Sequence, residues 1–385
     1  MPFNIDSDLT ELTSIRHHLH SIAEISGNEQ KTSKFITDFL EETAPHHLQT
    51  GIGGEGILAT YKGDHTGPHI LLRSELDALP IPDINDVDYQ SKTEGVGHKC
   101  GHDGHMTILC GVAQLLAQNP LETGKVSLLF QPAEETGQGA SRVVEDEKFQ
   151  DLSPDYCFAL HNLPGFQKHQ IIVRKDVFAA ASVGCIIRLK GATAHAAHPE
   201  EGKSPALAMA QMVEAFSAIP QFYSSLEQAA KVTVINADLG ERAFGTSPGE
   251  ATVMATLRAY DDNVLANLKE QCLRIANHTA KTYELAIDHE WVEEFPSTIN
   301  NSEAVDYITS AAQNLEHKLN VKQYPFSWSE DFGHITAEIS GAMFGLGAGK
   351  EQPALHAEDY DFPDEIISTG ISMFMQIVTE VLNES

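Results

Sequence analysis

Between residues 56 and 162 the chain alternates short apolar runs with helical stretches, and this alternation restricts the fold more than any other feature. GILATYK, HILLRSE, KVSLLFQ and YCFALHN read as strands, with helices expected near 104–118 and 137–146 between them. Strands that are apolar along their length and joined by helical crossovers form a largely parallel sheet covered on both faces. Two helical stretches, 6–23 and 28–43, come first, and Ser26-Gly-Asn-Glu29 has the form of a capping box opening the second.

From about 180 the pattern changes. SVGCIIRLK reads as a strand, and Ser204-Pro205 as the N-cap and first residue of a helix through ALAMAQMVEAFSAI. KVTVINADL, EATVMATLRAY, a helix near 262–282 and ELAIDHEWVE complete a β-α-β-β-α-β series, the order of a ferredoxin-like unit. A helix near 302–319, the strand GAMFGLG and a long C-terminal helix return to the first style. The expected fold is α/β, with a mostly parallel mixed sheet in residues 1–179 and 295–385. An α+β ferredoxin-like domain is inserted at 180–294. There is no internal repeat or low-complexity linker, and 385 residues suffice for two or three domains.

Charge narrows the function. With 25 Lys+Arg against 55 Asp+Glu the formal charge is −30, which repels nucleic acid and anionic lipid, so neither is an expected partner. An apolar share of 42% argues against disorder. The first residues carry acids where a leader would be basic, and no apolar run approaches the ~18 residues that span a bilayer. Five scattered cysteines do not make a disulfide framework. Free thiols in a cytoplasmic protein are expected.

The 19 histidines are the unusual count, since imidazole is a common metal ligand and general acid/base. GHKCGHDGHM, at 97–106, sets Cys100, His102, Asp103 and His105 just before an apolar helix. Cys100 and His102, two apart, point the same way in an extended segment. Thiolate with imidazole suits a first-row transition metal and suits magnesium or calcium poorly. A polar turn capping the helix is the bland alternative.

QPAEETGQGA leaves the strand KVSLLF with adjacent Glu134 and Glu135. Their side chains diverge, so one can ligate a metal while the other takes the proton of an attacking water. Alone, such a pair is an ordinary solvated turn. His161 ends the strand of ALHNLPG, where a hydrogen-bonded core histidine is the plain reading. His356 stands in ALHAEDYDFPDE after a glycine-rich run, where an ordinary loop is the plain reading. Asp77, in LLRSELDALP, sits at another strand exit and could orient a ligating histidine. These residues converge on strand exits, which is where open α/β sheets build ligand crevices. Five protein ligands exceed what one catalytic site with an open position takes, which points to two metals sharing a water.

These residues resemble the metal-dependent aminoacylase/carboxypeptidase superfamily, in the branch of hippurate hydrolases, auxin-conjugate hydrolases and N-acyl-amino-acid deacetylases. The resemblance runs from RHHLHSIAEISGNEQKT through ELDALPI, HKCGHDGHM, FQPAEE and ALHNLPG to GATAHAAHPEEGKSP, SEDFG and LHAEDYDF. It implies a zinc-peptidase-like catalytic domain with two divalent ions, manganese or zinc foremost, then nickel or cobalt. Their implied ligands are Cys100, His102, Glu135, His161 and His356, with Glu134 as general base. It also implies an inserted lid that makes a homodimer, with His195 hydrogen-bonding the developing oxyanion.

There are three departures from that pattern: Glu75 replaces an aspartate, Ala23 a proline, and Gly245 and Ser247 fall where relatives have an Asn-Val-Ile-Pro type of run. The expected reaction is hydrolysis of N-acyl amino acids or similar small amides by a metal-activated water. Three readings compete: a dipeptidase or aminopeptidase acting on free N-termini, a thiol hydrolase using Cys100, and a non-catalytic binding protein on the same scaffold.

Overall fold

The computed structural model describes residues 5–383; residues 1–4, part of the stretch read for a leader, lie outside the described residues. The chain divides into two compact units, Met1–Phe178 with Thr298–Pro325 and Asp331–Ser385, and Ala179–Ser297 with Phe326–Glu330. Residues 326–330, expected in the larger unit, belong to the smaller one. Backbone pairing draws them there, since Ala180 N donates to Trp328 O at 3.0 Å and Ala179 bridges Phe326.

The larger unit begins with α1 (Ile5–Ser21), α2 (Gln30–Glu42), β1 (His47–Ile52), β2 (Gly56–Lys62) and β3 (His65–Glu75). It continues with α3 (His102–Gln118), β4 (Thr123–Gln131), α4 (Gly139–Glu145), α5 (Glu147–Gln150), β5 (Tyr156–Pro164), β6 (Ile171–Val173) and β7 (Asp176–Ala179). The smaller unit holds β8 (Ala181–Lys190), β9 (Ala194–His195), α6 (Ala206–Tyr223), β10 (Ala230–Leu239) and β11 (Thr246–Ser247). It ends with β12 (Glu250–Ala259), α7 (Asp262–Thr282) and β13 (Ala286–Phe295). Then β14 (Thr298–Asn300), α8 (Ser302–Asn314), β15 (Leu319–Val321), α9 (Gly333–Glu338), β16 (Gly341–Gly349) and α10 (Ile367–Asn383) return to the larger unit.

The large sheet runs β1-β2-β4-β3-β5-β16-β6-β15. β4, β3, β5 and β16 lie side by side and parallel, so their C-terminal ends share one edge. From β3 the chain crosses through α3 to β4 on one side, and the next crossover lands at β5 on the other. That reversal opens a crevice at the end of β3. Both sheet faces are covered, and β4 is buried at every residue from Val126 to Gln131. α3 is buried on almost every side, which requires close approach: a Cβ at Gly104 would lie 2.4 Å from the Phe362 ring. In the smaller unit the sheet runs β10-β12-β8-β13, all antiparallel, and α6 and α7 pack their apolar side chains against it.

Several local expectations are corrected. Ser26 does not cap α2: its hydroxyl donates to Asp77 Oδ2 at 2.7 Å. The first turn is capped by Glu24, whose Oε2 accepts from Lys31 N and Thr32 N at 2.9 Å each. α6 starts one residue later than expected, with Pro205 as its N-cap. The helix expected to 319 stops at Asn314, because Glu316 turns to φ 56° and residues 319–321 pair with β6. β1 escaped notice because HLQTGI carries no apolar run; β6 and β15 are three residues each. The segment Asp364–Asn383 is long and apolar enough to cross a membrane by length and composition, which the run-length reading did not register. In the fold its Ile367, Ile371, Phe374, Ile377 and Val381 are buried in the core instead.

Candidate metal centre

The four parallel strand ends deliver the site. β3 runs out into Leu76 and Asp77. β4 leaves through Ala133, whose φ of 52° turns the chain sharply before Glu134, a conformation that L residues seldom adopt away from functional turns. The Glu29 carboxylate holds that turn by accepting from Ala133 N at 2.8 Å. His161 lies on β5 opposite Gly345 of β16. His356, at φ 66°, follows β16 and donates its backbone N–H to Lys99 O at 2.8 Å, beside Cys100. Gly101 begins α3 at φ 91°, where a Cβ would strike the Asn162 amide at 2.7 Å. Only glycine fits that turn.

Overlapping groups result, each with its ligand atoms within 4.8 Å of one another, among them Cys100–His102–His161, Cys100–Glu135–His356, His102–Glu134–Glu135 and Glu75–His102–His105. Together they bring into one place all five expected ligands and Glu134. Cys100 Sγ lies 3.5 Å from His161 Nε2. His102 Nε2 is 3.9 Å from both Glu134 Oε2 and Glu135 Oε1, and Glu135 Oε2 is 3.8 Å from His356 Nε2.

Hydrogen bonds decide which ring nitrogens face the cluster. His102 Nδ1 donates to Asp77 O at 2.8 Å and His161 Nδ1 to Asn162 O at 2.9 Å. A histidine that spends its Nδ1 proton on a carbonyl presents an Nε2 lone pair, which is how ligating histidines are held. His102 Nε2 is buried and has no hydrogen-bond partner among the described residues. Such an orphan costs ~1–3 kcal/mol unless something else satisfies it. Thiol, imidazole and carboxylate donors around it fit a divalent first-row ion.

Asp77 is fully buried and ties the site together. Oδ2 accepts from Ser26 Oγ and, at 3.0 Å, from Glu135 N, while Oδ1 lies 3.5 Å from His102 Nδ1. Burial opposes its charge, but His102 outweighs that and holds the carboxyl below its usual range. With no cation bound, Asp77, Glu75 and Glu135 outweigh the cost of burying its charge and push His102 up to about 10, so its Nε2 then holds a proton that a bound cation would displace. Burial, with His105 close by, pushes His161 down to about 3. Burial and the carboxylates of Glu135, Glu134 and Glu75 drive the Cys100 thiol well up. Those carboxylates favour a cation at the cluster and oppose a free thiolate nucleophile.

Of Cys100, His102, Asp103 and His105, the last two stand in other groups, Asp103 with His20 and Asp361 and His105 with Glu75 and His102. Asp103 Oδ2 meets Arg16 Nη1 at 3.1 Å and His20 Nδ1 at 2.8 Å in a buried ion group, which also pushes His20 up to about 9. His105 has both nitrogens engaged elsewhere. Reasoning from motifs also passed over Arg73, fully buried beneath the site. Its guanidinium contacts Glu75 Oε1, Gln131 Oε1 at 2.8 Å and Asp331 Oδ1 at 2.7 Å; Asp331 Oδ2 accepts from Ala140 N. One fork therefore ties the ends of β3 and β4 to α4 and to SEDFG. An arginine inside a strand that is otherwise buried was the available signal.

In the smaller unit, His195 sits on β9 and pairs with Thr246 of β11. Ala197 N donates to its Nδ1 at 3.0 Å, so the exposed ring carries its proton on Nε2 and can donate outward. Gly245 accepts from Ala196 N at 2.9 Å, and a Cβ at 245 would meet nothing within 4 Å. Glycine at 245 is therefore not demanded by space. A cavity of about 570 Å³ in this unit is lined by Lys231, Thr233, Arg258 and Tyr260.

Comparison with known proteins gives the family. Residues 71–380 match Peptidase family M20/M25/M40. The chain is 30% identical over 374 residues to the hippurate hydrolase of Campylobacter jejuni, covering 97% of each chain. It is 31% identical over 350 residues to the N-acetyl-L-cysteine deacetylase of Bacillus subtilis, covering 90% of this chain and 82% of that one. Among solved structures, the YXEP protein of Bacillus subtilis superposes with a TM-score of 0.82 at 26% identity, covering 99% of both chains. That protein is described as a dinuclear metal binding peptidase from the M20 family.

Proposed function

The chain belongs to Peptidase family M20/M25/M40, and from that premise we propose that it hydrolyses the amide bond of N-acyl amino acids or similar small conjugates with two divalent ions. The observation that carries this reading is the orphaned, buried Nε2 of His102, set among the ligand atoms of Cys100, Glu135, His161 and His356 with Glu134 alongside. Cys100, His102, Glu135, His161 and His356 would hold the ions, manganese or zinc foremost and nickel or cobalt after them. Bound there, two such ions would polarise the scissile carbonyl and acidify the attacking water.

The protein groups do the rest. Glu134, buried at the rim of the cluster, takes the proton of the attacking water and returns it to the leaving nitrogen. Asp77 holds His102 through Nδ1, so that Nε2 is the nitrogen turned toward the ions. His195 offers its Nε2 proton to the oxyanion. His195→Ala is expected to lower kcat by roughly 10²–10³ with metal content unchanged.

The relatives' names support an acylated substrate, one being a hippurate hydrolase and another an N-acetyl-L-cysteine deacetylase. The test is acyl release from N-acetyl- and N-benzoyl-amino acids, set against free dipeptides of the same sequence. Turnover of the acylated series alone supports this reading. Turnover confined to free N-termini would move the protein to the dipeptidase reading.

The same proposal includes a homodimer formed through the smaller unit. β10 is an edge strand with Ile235 exposed, and Leu207 on the neighbouring α6 is exposed as well. Such edges and apolar residues invite a second copy. The expected mass in solution is twice that of the chain; a monomer would remove this part.

A further inference from the structure

His105 differs from the other buried histidines of the site, and the difference assigns it a task. His102 and His161 each engage one nitrogen with a backbone carbonyl and leave the other facing the cluster. His105 is just as buried, yet both of its nitrogens are engaged. Nδ1 meets Glu75 Oε2 at 2.7 Å, and Nε2 meets the Asn162 side-chain amide at 2.5 Å and Asn162 N at 3.2 Å. Its ligand atom groups with those of Glu75 and His102, but both of its nitrogens already have protein partners.

Its partners lead back to a proposed ligand. The carbonyl of Asn162 accepts the Nδ1 proton of His161, and the far end of the Asn162 amide contacts the buried hydroxyl of Tyr360. The His105 ring stands edge-on to His161, with centroids 5.0 Å apart and planes at 76°. Glu75 is anchored in turn by Arg73. A continuous path therefore runs Arg73–Glu75–His105–Asn162–His161, each step a hydrogen bond or ion pair between buried groups.

We propose that His105 is a positioning residue: clamped by Glu75, it fixes Asn162 and so sets the orientation of the His161 ring toward the cluster. The inference rests on the reading of His161 as a metal ligand. Packing alone is the competing explanation, and it makes a different prediction, because a phenyl ring would pack as an imidazole does. Groups that orient ligating histidines are commonly worth about 10–100-fold in metal affinity.

Co(II) is a suitable probe, since its visible bands report ligand geometry. Its dissociation constant and absorption spectrum are measured on the full chain for the wild type, His105→Phe and His105→Gln, with thermal melts of the metal-free proteins. Wild type is expected to bind Co(II). His105→Phe is expected to bind about 10–100-fold more weakly with shifted bands, and His105→Gln, which keeps hydrogen-bonding ends, to recover part of both.

Wild-type affinity and spectrum in His105→Phe would overturn the proposal while leaving the metal reading intact. So would equal losses in the two variants. A wild type that takes up no Co(II) overturns both. If His105→Phe does not fold, His105→Gln decides alone: an unshifted spectrum with wild-type affinity counts against positioning.

Discussion

Glu134→Gln is expected to lower kcat by roughly 10²–10⁴ while leaving metal content and KM near wild type. The substitution preserves the size of the side chain and removes only its capacity to take a proton. Glu134 is 5% exposed, and its Oε2 lies 3.9 Å from His102 Nε2, so the carboxylate borders the cluster without being one of its five proposed ligands. Assays of kcat together with metal analysis of the same preparation separate the two roles. Loss of metal in parallel with activity would make Glu134 a ligand instead. Unchanged kcat would remove it from the mechanism.

The second large effect concerns the support beneath the site. Arg73→Ala leaves Glu75 and Asp331, both essentially inaccessible to solvent, without their shared cation. Breaking a buried pair from one side costs ~3–5 kcal/mol, because the abandoned charge stays desolvated. In a unit of this size that corresponds to a thermal midpoint lower by on the order of 10 °C. Arg73→Lys is expected to recover little, since one ammonium cannot reproduce a fork that reaches Glu75, Gln131 and Asp331 together. Thermal melts of the metal-free proteins check this, and a midpoint within 2–3 °C of wild type, about 1 kcal/mol, would show that the network is not what holds the strand ends.

The two effects divide the site into what sequence reveals and what it conceals. The proposed ligands were legible because their residue types are rare at strand exits, and parallel strands must place their C-terminal ends along one edge. Cys100, His102, His161, His356 and the Glu134–Glu135 pair could thus be gathered before any distance was known, whereas Glu135 as ligand and Glu134 as base came from the family resemblance. The supports were not legible, because they depend on contacts distant in sequence. Arg73 meets Asp331 across 258 positions, and the Glu29 carboxylate reaches Ala133 across 104.

Local patterns misled where a tertiary partner competed for the same group. Ser26 has the form of a cap but gives its hydroxyl to Asp77, and Glu24 takes over the helix. Asp103 and His105 resemble ligands in sequence, yet Arg16 with His20 claims the first and Glu75 with Asn162 the second. The alternation of strands and helices gave the α/β class, whereas β6 and β15, at three residues each, offered no periodicity to read.

Metal dependence is the central claim, and titration of the metal-free chain tests it most directly. Manganese or zinc is added in measured equivalents while hydrolysis of an N-acyl amino acid is followed. The account predicts no activity without metal, a rise that levels off at about two equivalents per chain, and complete loss on chelation. Activity that persists in the metal-free, chelator-treated chain would contradict it.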